Sequence, residues 1–67
     1  MIAERLTKTL NEQKITMYRV AKDLGLNKQT VINWCNGFNE PKATQIAMLC
    51  RYLDVSADYL LGLTDNY

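Results

Sequence analysis

The chain contains no histidine. That removes both the commonest general base and the commonest protein metal ligand. Its two cysteines, Cys35 and Cys50, lie fifteen residues apart with no CxxC pair. A zinc site needs about four ligands at tight spacing, so no metal and no cofactor is expected. One disulfide and two reduced thiols packed as small hydrophobes are both open at this spacing. Met1 to Arg5 leads into an amphipathic segment rather than a secretory apolar stretch, which favours reduced thiols in a cytoplasmic protein. No apolar run approaches the roughly 20 residues of a membrane span. There is no clustered acid pair, no glycine-rich phosphate loop and no serine or cysteine placed beside a base, so catalysis is not expected.

What remains is one small domain, residues 1–67. A chain of this size buries only about 60% of its unfolded surface, leaving little room for a deep pocket, and no small-molecule ligand is evident. Apolar residues make up 48%, too many for a disordered chain. The net charge of +1 is uninformative alone, but it is unevenly spread. Residues 1–13 sum to zero. Residues 14–42 sum to +3 through Lys14, Arg19, Lys22, Lys28 and Lys42, against Asp23 and Glu40. Residues 43–67 sum to −2. A basic middle and an acidic tail fit one cationic face.

Apolar residues recur at helical spacing, and an all-α fold of five helices is predicted at about 2–12, 17–24, 28–36, 42–53 and 57–62. Ile2, Leu6 and Leu10 form the first stripe; Met17, Val20, Ala21 and Leu24 form the second. Thr16, Asn27 and Ser56 are suited to cap helices two, three and five, and Gly25 and Gly62 to end helices two and five. Residues 64–67 are expected to fray.

Only Gly25-Leu26-Asn27 separates helices two and three, so the helices should cross steeply rather than lie antiparallel. Ala21 allows close approach, Gly25 turns the chain, Leu26 sits under the turn, and Val31 and Trp34 pin helix three to helix two. This is the pattern of a helix-turn-helix. On a wheel of helix three, Thr30, Val31, Trp34 and Cys35 share one arc. Lys28, Gln29, Ile32, Asn33 and Asn36 share the other, which carries no acid. Amides present paired donors and acceptors to base edges, lysine reaches guanine or phosphate, and Ile32 suits a thymine methyl.

These features, with Ile15-Thr16, Asn36-Gly37, Pro41 and the ending Val55-Ser56-Ala57-Asp58-Tyr59-Leu60-Leu61-Gly62, resemble the Cro/C1-type helix-turn-helix family over about residues 2–63. The resemblance implies a lambda-repressor-like DNA-binding domain of bacterial or phage origin. It also implies a transcriptional regulator, a repressor bound to a palindromic operator on double-stranded DNA as a dimer. It places base contacts at Lys28, Gln29 and Asn33, to which the outward arc adds Ile32, and phosphate contacts at Thr16, Met17, Thr30, Asn36 and the loop before helix four, beside which Lys42 is the candidate cation. Crowding of apolar residues near the end adds a weak homodimer through Tyr59, Leu60 and Leu63.

Three positions depart from the family pattern. Met17 stands where a glutamine is frequent. Leu10 and Cys35 stand where an arginine–glutamate pair is frequent. Phe38-Asn39-Glu40 stands where some relatives carry lysines. These departures keep open a second reading, a helical protein-interaction module such as an antitoxin or adaptor.

Overall fold

Capping groups and left-handed turn residues divide the chain into five helices. In a computed structural model that describes residues 2–67, these are α1 (Ile2–Gln13), α2 (Met17–Leu24), α3 (Lys28–Cys35), α4 (Ala43–Leu53) and α5 (Ala57–Leu60). The three expected caps are formed. Thr16 Oγ1 accepts from the Arg19 amide, Asn27 Oδ1 from the Gln29 amide and Ser56 Oγ from the Tyr59 amide. Each supplies one of the amide partners that a helix start otherwise lacks.

Four boundaries differ from expectation. α1 runs one residue longer. α3 stops at Cys35 because Asn36 leaves helical geometry at φ −93°, ψ 1°. α4 starts at Ala43 because Lys42 is extended, its amide donating to Gln45 Oε1 at 2.8 Å. α5 ends at Leu60, since the turn through Leu61 to the left-handed Gly62 closes it early.

Every helix ends in the same way. A left-handed residue follows it, at Lys14, Gly25, Gly37, Asp54 and Gly62. The next amide then folds back onto a carbonyl five residues earlier: Ile15 to Leu10, Leu26 to Ala21, Phe38 to Asn33, Val55 to Cys50 and Leu63 to Asp58, at 2.8–3.1 Å. This arrangement satisfies carbonyls that a helix end leaves open.

The amphipathic stripes meet in one core. Leu6, Val20, Val31, Leu49 and Leu60 are fully buried, and Trp34 and Tyr59 are nearly so. α3 packs on both α2 and α1, while α5 packs on α1 and α4. Met17 departs from its predicted stripe. At the first turn of α2 it is 37% exposed, while Val20 and Ala21 carry the buried face. Cys35 and Cys50 are free thiols and only half-buried.

The expected fraying of residues 64–67 is corrected by a clamp centred on Arg5. Its guanidinium donates to the Tyr59 carbonyl at 3.1 Å and the Thr64 carbonyl at 2.7 Å, and pairs with Asp65 at 3.0 Å. It also lies 4.5 Å from the Tyr59 ring centroid. Tyr67 sets its ring 4.7 Å from that of Tyr59 and donates its hydroxyl to Glu12. The Ser56 amide donates to the Tyr67 main-chain oxygen. The short polar tail gives no hint of this docking, because its anchor lies some sixty residues away at Arg5.

The same packing corrects two of the three residues expected at a dimer interface. Tyr59 is 1% exposed and Leu60 fully buried within the chain, so neither faces a second copy, whereas Leu63 is 73% exposed. The Tyr59 hydroxyl is buried and makes no hydrogen bond of normal geometry among the described residues. An unpaired buried hydroxyl costs about 1–3 kcal/mol. Tyr59→Phe keeps the ring that stacks with Arg5 and Tyr67, and is therefore expected to leave stability unchanged or raise it by about 1 kcal/mol. Urea unfolding followed by circular dichroism measures this; a loss above that size would show that the hydroxyl is paired.

Candidate nucleic-acid interface

The turn between α2 and α3 is built as its residues dictate. Gly25 is left-handed at φ 67°, ψ 33°, and its neighbour Leu26 folds its amide onto Ala21 O at 2.8 Å. Leu26 is half-buried against the core, and Val31 and Trp34 are buried beneath α3. With one face of α3 so committed, the other is presented outward. Lys28, Gln29 and Asn36 are exposed, and Ile32 and Asn33 are half-buried. No acidic side chain belongs to this helix.

Two of the outward groups are already coupled. Gln29 Nε2 donates to Asn33 Oδ1 at 2.9 Å, one helical turn on. This leaves Gln29 its carbonyl oxygen and one N–H, and Asn33 both N–H groups, for an external partner. At the start of α3, the Lys28 ammonium lies 5.9 Å from the Tyr18 ring centroid.

The residues expected at phosphates form a looser set. Thr16 and Met17 are at the start of α2, with Thr16 engaged as its cap. Thr30 is half-buried, and Asn36 and Lys42 are exposed at the ends of the α3–α4 loop. Thr16, Met17, Ile32 and Asn36 share the walls of one surface groove of about 670 Å³ between α1, α2 and α3. Thr30 and Lys42 are not among its lining residues. Leu10 and Cys35, the two positions without the charged pair, also line this groove. Burial pushes the Cys35 and Cys50 thiols up, so neither is activated as a nucleophile at neutral pH.

α2 is held on its far side by a small polar network. The Tyr52 hydroxyl on α4 donates to Asp23 Oδ2, and Arg19 Nε donates to the same oxygen at 2.9 Å. The Tyr52 hydrogen bond, with help from Arg19, holds the Asp23 carboxyl below the usual aspartate range. A carboxyl depressed in the folded state stabilises the fold above its unfolded-state pKa of about 3.9, and that contribution is lost as pH falls through the folded value. Tyr52→Phe is expected to move the Asp23 titration upward, toward the ordinary value, and to remove part of the acid-side loss of stability. Carboxyl-resolved NMR titration reads the shift; an unmoved Asp23 midpoint would assign its depression to Arg19 and Lys22.

Two side chains near α3 carried no functional expectation from the sequence, Tyr18 as a residue of α2 and Phe38 as a loop residue. They are 60% and 78% exposed. The available signal was that two aromatics fall on positions outside every apolar stripe.

Comparison with known proteins agrees with this geometry. The Cro/C1-type HTH DNA-binding domain matches residues 5–66. A curated Bacillus subtilis (strain 168) protein, named as the uncharacterized HTH-type transcriptional regulator YobD, is 33% identical over 66 residues, covering 98% of this chain. The chain spans 59% of the length of that relative. No solved structure matches the chain.

Proposed function

Because the chain belongs to the Cro/C1-type helix-turn-helix DNA-binding family, we propose that it reads double-stranded DNA by inserting α3 into the major groove and serves as a transcriptional repressor. The observation that carries this reading is the outward face of α3. It holds one cation, two amides and no acid, with a third amide at Asn36 just past the helix end, and it has a preformed Gln29–Asn33 pair. A solvent-facing helix ordinarily mixes both charges, whereas amides in register suit base edges. Lys28, Gln29, Ile32 and Asn33 are assigned to bases. The α2 start at Thr16 and Met17, together with Thr30, Asn36 and Lys42, is assigned to phosphates. Met17 lacks a polar side chain, so its contact is its main-chain N–H at the helix start.

Binding as a two-fold dimer on a palindromic site belongs to the same proposal, with half-sites about 34 Å apart. Exposed Leu63 remains as its apolar contact. In vitro selection from random duplexes tests the reading. Enrichment of one motif, repeated as an inverted pair at about one helical turn, is the expected result. Recovery of no motif would sink DNA reading and favour the protein-interaction alternative; a single unrepeated motif would sink the dimer alone.

A further inference from the structure

Tyr18 and Phe38 stand near opposite ends of α3. Tyr18, the second residue of α2, is exposed beside Lys28, the first residue of α3. Phe38 follows the other end, and its backbone is fixed. Its amide is shared between the Asn33 carbonyl and Asn36 Oδ1, each at 2.9 Å. Gly37 before it is left-handed at φ 80°, and a Cβ there would meet Ala3 Cβ at 3.8 Å. The Phe38 ring thus projects from a rigid mount, so little backbone freedom is lost if something packs on it. A scattered exposed apolar residue is ordinary. These two bracket one eight-residue helix, roughly 12 Å long, with the base-reading candidates between them. Charge supplies the second observation. Residues 37–41 carry no cation and include Glu40, and the loop's one ammonium is Lys42 at its far end, so the stretch around Phe38 has none of its own to offer a phosphate.

We propose that Tyr18 and Phe38 are apolar pads that pack on deoxyribose along the DNA backbone at the two ends of α3, Phe38 doing so from a stretch, residues 37–41, that carries no cation. This rests on the DNA-reading function. It implies that part of the affinity is insensitive to salt, since packing on sugar releases no counterion.

The test is fluorescence anisotropy of the full chain with its selected duplex at several salt concentrations. Tyr18→Ala and Phe38→Ala should each weaken binding by about fivefold to tenfold at every salt concentration, with the slope against log salt unchanged. Tyr18→Phe should retain most of the affinity. Phe38→Lys should steepen the slope by about one unit. Thermal unfolding of each variant guards against loss of fold. Parent-like binding by both alanine variants, with Asn33→Ala impaired, overturns the pads and leaves the DNA reading intact. A flattened slope in either alanine variant assigns an ionic role and overturns the apolar one. A parent that binds no duplex overturns both.

Discussion

Asn33→Ala is expected to weaken binding to the selected duplex by roughly 5- to 150-fold, equivalent to about 1–3 kcal/mol, and to relax base preference at one position of each half-site. Asn33 is half-buried on the outward face of α3 and accepts from Gln29 at 2.9 Å. Its removal takes away two donors and also releases the Gln29 amide, which then has rotameric freedom to lose on binding. The effect of Gln29→Ala should therefore not add to that of Asn33→Ala. A double-mutant cycle in DNA affinity should show coupling, as expected for two residues in one hydrogen-bonded unit. Lys42→Ala serves as the contrast. It should weaken all duplexes alike and flatten the salt slope by about one unit. Equal affinity of Asn33→Ala and the parent would detach α3 from sequence reading altogether.

Trp34→Ala is the second large effect, and it acts on stability. Trp34 is 3% exposed on the inner face of α3, in the same core as Val20, Val31 and Leu49. Truncating a buried tryptophan costs about 3–5 kcal/mol. A domain of this length is expected to have only about 3–10 kcal/mol in total, at the usual stability per residue. The variant should therefore be largely unfolded or lose most of its urea midpoint, with α3 and its DNA affinity lost together. A native-like urea curve would mean that α3 is held by contacts other than its inner face. Comparison with Asn33→Ala separates the two faces of this helix, one holding it in place and the other reading.

Much of this architecture is legible in the residues because its signals are local. Helical spacing places the stripes, Thr16, Asn27 and Ser56 start helices, and Gly25 and Gly62 stop them. Two stops are less legible. Lys14 and Asp54 take the left-handed conformation at φ 57° without being glycines, and neither residue type announces it. The site's polar pairing was also out of reach, since Gln29 and Asn33 share a face by spacing while their hydrogen bond depends on rotamers. The dimer expectation failed at Tyr59 and Leu60 for a different reason. Apolar crowding shows that side chains need cover, but not whether the cover comes from α1 of the same chain or from another molecule. The docked tail was missed because its anchor, Arg5, is distant in sequence and looks like an ordinary surface cation on α1.

That anchor has a consequence for sequence tolerance. Two of the Arg5 hydrogen bonds end on peptide oxygens, at positions 59 and 64, rather than on side chains. A guanidinium gripping peptide oxygens follows the path of the chain and is indifferent to the residue carried there. Those two contacts survive substitution at either position, so the demand on side-chain identity in the terminal segment moves to the residues whose side chains do bind, Thr64 to the Asn66 amide at 3.2 Å and Asp65 to Arg5 itself.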